Sequence, residues 1–125
     1  MIILTLEQLL EIHALIIEFT KGSSGLRDLG RLESVIATQT QNIFDEELYP
    51  SIINKAAAMI RSIIADHPFV DGNKRTAMLA GLILLEINKI KLTITSEEIE
   101  DFAIEISIHH LDVTKISNWI QKHII

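Results

Sequence analysis

Apolar residues return every three or four positions over most of the chain, and the breaks between these runs are sharply marked. Both prolines, Pro50 and Pro68, and four of the five glycines, Gly22, Gly25, Gly30 and Gly72, fall in the breaks. The first run comprises Leu6, Leu9, Leu10, His13, Ile16 and Ile17. It follows a capping box in which Thr5 caps and Gln8 reaches back, and it predicts a helix to about Thr20. KGSSGLRDLG reads as a turn-rich connection, and RLESVIATQ as a short helix with Leu32, Val35 and Ile36 inward. NIFDEELYP is a second loop, anchored by Phe44 and Tyr49. Ser51 caps IINKAAAMIRSIIAD, whose alanines let another helix approach closely.

From about Asn73 to Asn88, NKRTAMLAGLILLEIN is apolar nearly all round after its first turn, which marks a helix buried on most sides. Gly81 costs that helix about 1 kcal/mol relative to Ala, so tight packing is its reason. LTIT is a brief strand in this reading. Thr95 with Glu98 forms another capping box, for a helix through about His109. A last helix, from about Thr114 to His123, presents Ile116, Trp119 and Ile120. The fold class is all-α: a compact helical bundle of about six helices around a buried central one.

A chain of 125 residues matches one domain, residues 1–125. Apolar residues make up 48% of it, but acids and lysines interrupt every stretch before it could cross a bilayer, so no membrane helix is predicted. Met1 to Leu4 is apolar, lacks a basic flank and a small-residue cleavage site, and is followed at once by Glu7 and Glu11; a cytoplasmic chain is expected. The absence of cysteine removes disulfides, thiolate catalysis and thiolate metal sites together. Eleven Lys and Arg against seventeen Asp and Glu leave a charge of −6, which argues against direct nucleic-acid binding.

One segment fits neither core nor linker: HPFVDGNKRT, His67 to Thr76, directly before the central helix. A helix entry leaves its first backbone N–H groups unpaired, and with the helix dipole these seat an anion such as phosphate. Gly72 allows a backbone turn that points successive N–H groups inward, and Asn73 adds a side-chain amide. Lys74 and Arg75 open the helix, a poor place for cations unless an anion offsets them. Asp71 supplies one hard oxygen donor beside the phosphates, which suits Mg²⁺ shared with a nucleotide. His67 is placed to take a proton from an attacking hydroxyl. Phe69 and Val70 fix the loop to the core. Singly, each feature has a bland counterpart, namely a loop histidine, a common turn and a solvated helix end. The spacing is also not that of a P-loop. Their conjunction at one loop-to-helix junction marks a site, and leaves open whether it binds or reacts.

HPFVDGNKRT resembles the signature of the Fic/Doc superfamily, whose loop reads HxFx(D/E)GNxR. GLRDLGRLES and LYPSIINKAAAMIRSIIADHPF are similar to the Doc ("death on curing") branch, and the similarity covers nearly the whole chain. The resemblance implies a compact helical bundle that transfers phosphate-containing groups from nucleotides to hydroxyls of proteins. It makes His67 the general base, Asp71 the Mg²⁺ carboxylate and Phe69 the core anchor. Gly72, Asn73, Lys74, Arg75 and Thr76 become the nucleotide-binding set, with Lys74 and Arg75 also acting in the transfer.

Adenylylating members usually carry glycine where Lys74 stands, and a second arginine where Met78 stands. Doc proteins share the lysine, which crowds the seat of a transferred α-phosphate and adds charge for a terminal one. A Doc-like toxin is therefore implied, moving the γ-phosphate of ATP to a threonine of translation elongation factor Tu and so arresting translation. Protein adenylylation and a catalytically silent partner-binding module are the alternatives. The family's inhibitory pattern (S/T)xxxE(G/N) is not completed by Thr93 with Glu97 or by Ser96 with Glu100, so inhibition is expected from a small antitoxin in trans.

The remaining polar residues read as structural. Adjacent His109 and His110 point about 100° apart on a helix and lack a carboxylate partner at ligand spacing, which argues against a metal site. His13 is a hydrogen-bonded core histidine, and His123 suits a helix C-terminus. Asp45 and Glu46 lie on a solvated loop. Arg27 and Asp28 are read as a loop-fixing ion pair in preference to a target-holding rim.

Overall fold

A computed structural model describes residues 1–125 and contains six helices and one two-stranded sheet. The helices are α1 (Leu6–Thr20), α2 (Leu29–Ala37), α3 (Ile52–Asp66), α4 (Asn73–Ile87), α5 (Ser96–His109) and α6 (Val113–Lys122). The all-α expectation holds, but the central element is α3, which meets α2, α4, α5 and α6. Helix α4, expected at the centre, packs most extensively on α3 and also meets α1 and α5. No helix is long and apolar enough to cross a membrane.

Five of the six helices start on a side-chain cap. Thr5, Asp28, Ser51, Thr95 and Asp112 each accept a hydrogen bond from the backbone N–H three residues on. Thr5–Gln8 and Thr95–Glu98 both close as full capping boxes. Helices α1, α3 and α5 end on residues in the left-handed conformation, Lys21, His67 and His110.

The core runs through Leu9, Leu32, Met59, Ile60, Ile63, Phe69, Leu84, Leu85, Ile116 and Ile120, all essentially inaccessible to solvent. Ala56 to Ala58 let α3 lie close to α4, and Gly81 completes the contact. A Cβ at Gly81 would stand 2.5 Å from Ile60 Cδ1, so the glycine is required by packing.

Three local expectations are corrected. The loop after α2 contains a short antiparallel hairpin, β1 (Asn42–Ile43) and β2 (Glu46–Glu47). Its turn residues, Phe44 and Asp45, both have positive φ, as a type I′ turn requires. Phe44 therefore sits on the tip, 96% exposed, and is no anchor, whereas Tyr49 is half-buried. The LTIT strand reduces to one bridge, Leu92 with Ile124, because no longer partner lies beside it. Helix α2 starts at Leu29, ahead of the predicted start, because Asp28 caps it through Arg31 N–H.

Candidate phosphate-binding cleft at the start of α4

The chain leaves α3 at His67, whose left-handed backbone (φ 48°) breaks the helix and sends Pro68 and Phe69 back into the core. Phe69 forms a bridge with Leu26, so the α1–α2 connection lies alongside the motif loop as a short antiparallel pair. Within that pair Val70 N–H donates to the Gly25 carbonyl, and the Arg27 and Asp28 N–H groups both donate to the Pro68 carbonyl. Arg27 then donates from Nε to the His67 carbonyl and from Nη2 to the Asp66 carbonyl, at 2.6 Å.

Arg27 thus fixes the loop, but through carbonyls at the α3 C-terminus and not through Asp28. Asp28 caps α2 and pairs with Arg31 at 3.2 Å. The carbonyls that end a helix carry its negative dipole end, so a guanidinium there is well placed.

Beneath the loop, the His13 ring stacks on Phe69 with centroids 3.8 Å apart and planes 5° from parallel. His13 Nε2 is also 2.8 Å from the Asp71 carbonyl oxygen. Asn73 closes the loop from the other side. Its Oδ1 accepts from Phe69 N–H at 3.0 Å and its Nδ2 donates to the Phe69 carbonyl at 2.9 Å. The Asn73 amide is therefore committed to the loop, and toward the cleft it offers its backbone N–H. Val70, expected to face the core, is instead exposed and lines the cleft, because the bridge points Phe69 inward and its neighbour outward.

Gly72 begins α4 with φ 77° and gives no side-chain cap. The acceptors that Asn73, Lys74 and Arg75 N–H would need lie before the helix, and none of the three has a hydrogen-bond partner; intrahelical bonding starts at Thr76 N–H to the Gly72 carbonyl. These three N–H groups open on a cleft of about 360 Å³ lined by Thr20, Gly22, His67, Val70 and Asp71 through Arg75. Thr76 does not line it. It is fully buried one turn in, and its Oγ1 is the single buried side-chain polar atom without a partner.

The Asp71 carboxylate is held on the cleft wall by backbone. Ser23 N–H donates to Oδ2 at 3.0 Å and Gly72 N–H to Oδ1 at 2.8 Å. The Ser23 bond and then the Gly72 bond hold the carboxyl below its ordinary value and so ionised at neutral pH. Gly22 is what lets Asp71 sit there, since a Cβ at that position would be 2.5 Å from Oδ2. Lys74 and Arg75 are both exposed. Arg75 Nη2 is 3.7 Å from Glu100 of α5, an exposed pair of small energetic weight. Sequence reasoning passed over Glu100 because its motif is incomplete; its place opposite Arg75 is set by the packing of α5 on α4.

No group of three or more His, Asp and Glu side chains gathers as a metal site anywhere in the molecule. The cleft therefore offers one carboxylate, three free N–H groups, two cations and an imidazole. Such a set neutralises an oxyanion that brings further charge and ligands with it, as a nucleotide polyphosphate does.

The chain is similar to known proteins over most of its length. Residues 3–85 match the model of the Fic/DOC family. The chain is 33% identical over 98 residues to the protein named Toxin Doc of Mycolicibacterium smegmatis, a match covering 77% of this chain and 75% of that protein. It is 25% identical over 116 residues to the Protein kinase doc of Escherichia phage P1, covering 93% and 90%.

Proposed function

Because the chain belongs to the Fic/DOC family, we propose that it is a toxin-type transferase that moves the γ-phosphate of ATP to a threonine hydroxyl of a protein target. The observation that carries this reading is the start of α4, which alone among the six helices lacks a side-chain cap and faces a cleft holding His67, Asp71, Lys74 and Arg75. The names of the two relatives, a toxin and a protein kinase, point the same way. Translation elongation factor Tu is the target in this reading, a small antitoxin in trans restrains the enzyme, and both act in the cytoplasm.

In the proposed reaction the hydroxyl oxygen forms a bond to the γ-phosphorus and the bond from γ-phosphorus to the β–γ bridging oxygen breaks, releasing ADP. His67 receives the hydroxyl proton. The Asn73, Lys74 and Arg75 N–H groups, with the Lys74 and Arg75 side chains, bind the terminal phosphate and offset charge developing on its oxygens. Asp71 is the residue that would hold Mg²⁺. Each of its oxygens accepts a single backbone N–H and keeps a lone-pair site, and one carboxylate suffices for an ion completed by phosphates and water. Bound Mg²⁺ would neutralise phosphate charge.

Met78 favours terminal-phosphate transfer over adenylylation. It is 1% exposed and packed in the core, so α4 offers no second arginine there. The test uses ATP labelled separately on the α- and γ-phosphates, with elongation factor Tu and total bacterial lysate as acceptors. Only the γ label should enter protein, and His67→Ala should remove it, a loss of at least about a hundredfold, while the fold is kept. Entry of the α label would replace phosphorylation by adenylylation. Entry of neither label, with tight partner binding, would leave a binding module.

A further inference from the structure

Helix α1 meets the motif loop through one buried polar side chain, His13. A Cβ on Gly72 would stand 3.1 Å from Ile17 Cδ1 and 3.9 Å from His13 Cδ2, so α1 lies directly beneath the turn that opens α4. Burying an imidazole there costs free energy that an apolar side chain avoids, and its Nδ1 makes no hydrogen bond in the molecule. The polar character of the position is therefore spent on one bond, between Nε2 and the Asp71 carbonyl oxygen. A carbonyl only accepts, so Nε2 carries the proton. That bond fixes a peptide plane. The peptide joining Asp71 to Gly72 is trans, so its C=O and N–H point in opposite directions. With the carbonyl turned to His13 beneath the loop, the Gly72 N–H is turned to the other side, where it donates to Asp71 Oδ1.

We propose that His13 is a positioning residue for the nucleotide cleft: through the plane of the peptide between Asp71 and Gly72 it holds the Asp71 carboxylate where that group would take Mg²⁺. The carboxylate has two anchors, Ser23 N–H on Oδ2 and Gly72 N–H on Oδ1, and His13 governs the second. The stack on Phe69 is a separate function of the same side chain. The ring supports the loop by packing, and its N–H sets the loop's orientation. A group that holds a metal ligand without touching the metal commonly accounts for roughly 10- to 100-fold in affinity. This inference rests on the reading of the cleft as a site for a nucleotide with Mg²⁺, and adds to it a residue 58 positions from its partner in the chain.

Two substitutions separate the two functions. His13→Phe keeps a flat ring for Phe69 and removes the donor, whereas His13→Gln keeps an N–H donor and removes the ring. Calorimetric titration of the full chain with an ATP analogue that cannot transfer its γ-phosphate, with and without Mg²⁺, reads the placement of Asp71 independently of transfer. Chemical denaturation reads the stack. His13→Phe should be as stable as the wild type and bind the analogue with Mg²⁺ about tenfold more weakly, with little change when Mg²⁺ is withheld. His13→Gln should be less stable and keep wild-type affinity. In an Asp71→Asn background, which lacks the gain from Mg²⁺, His13→Phe should cause no further loss, because both changes act through one carboxylate. If His13→Phe does not fold, His13→Met fills the space without a donor and takes its place. Wild-type affinity in the donor-free variant makes His13 a packing residue and overturns the proposal. So does a loss that adds to that of Asp71→Asn, or an affinity that follows stability in the Phe and Gln variants alike. A wild type whose affinity Mg²⁺ does not raise overturns the metal role of Asp71, and the proposal with it. A wild type that gains affinity from Mg²⁺ but labels no protein with γ-labelled ATP overturns the transfer reading alone, and the His13 comparison then decides the proposal on binding.

Discussion

Helices α4 and α5 begin in opposite ways. At the start of α5, Thr95 and Glu98 satisfy each other's backbone N–H groups, and Glu97 and Glu98 place negative charge on the positive end of the dipole. At the start of α4, Gly72 supplies no cap, three N–H groups stay free, and Lys74 and Arg75 put positive charge where the dipole disfavours it. One terminus is complete within the chain. The other is held open by a scaffold built from distant parts, namely His13 and Phe69 below it, Asn73 inside it, and Ser23 with Gly22 beside Asp71. A helix start left unsatisfied at that expense of order elsewhere is organised for a ligand.

The largest expected effect comes from removing the scaffold of the open terminus. Phe69→Ala deletes a fully buried ring and its stack on His13, and should cost roughly 3 to 5 kcal/mol in chemical denaturation. A change under about 1 kcal/mol would mean that the motif loop does not depend on the core beneath it.

A paired substitution sharpens the contrast itself. Thr95→Ala should lower stability by about 1 kcal/mol, with no effect on ATP binding. Lys74→Ala should act in the opposite sense, raising the stability of the free protein by about 0.3 to 1 kcal/mol while weakening ATP binding. Equal signs in the melting curves of the two variants would erase the distinction between the termini.

How much of this contrast is legible in the sequence depends on the range of the interactions. Thr5–Gln8, Ser51 and Thr95–Glu98 are local motifs, so these three capped starts and the bare Gly72 can be compared along the chain, whereas the Asp28 and Asp112 caps emerged only in the fold. The juxtaposition of His67, Asp71, Lys74 and Arg75 is likewise fixed by one loop-to-helix junction. His13 to Asp71 spans 58 residues and Arg27 to His67 spans 40, so these contacts were legible only as a core histidine and a loop-fixing arginine, without their partners. The hairpin escaped because Phe44–Asp45 lacks the Asn-Gly or Asp-Gly signal that such turns carry, and with it went the assignment of Phe44 as an anchor. Val70 was misplaced because the bridge to Leu26, which sets its facing, is itself a tertiary contact.

The smallest effect concerns pH, and it belongs to the capped side. Glu98 is held below the usual carboxylate value of 4.5 by the Thr95 backbone N–H and then by His123. His123 is raised above 6.5 by the Trp119 carbonyl and then by Glu98, whose Oε2 is 2.9 Å from Nε2. The Glu98 contribution is present above pH 4.5 and lost as pH falls through its lowered value. The His123 contribution is present below pH 6.5 and lost as pH rises through its raised value. Their joint support of the α5–α6 contact should therefore peak between those two values. Comparing thermal melts of the wild type with His123→Ala across pH should show a difference that shrinks on both sides of this window.

The central claim is that the free N–H groups of Asn73, Lys74 and Arg75 receive phosphate. Amide NMR on the folded chain tests it most directly, by titration with Mg·ATP and, separately, with adenosine. The account predicts large shifts at these three amides with ATP, little response to adenosine, and no response at the capped starts of α1 and α5. Amides at 73 to 75 that stay unmoved by saturating ATP, or that move equally with adenosine, would contradict it.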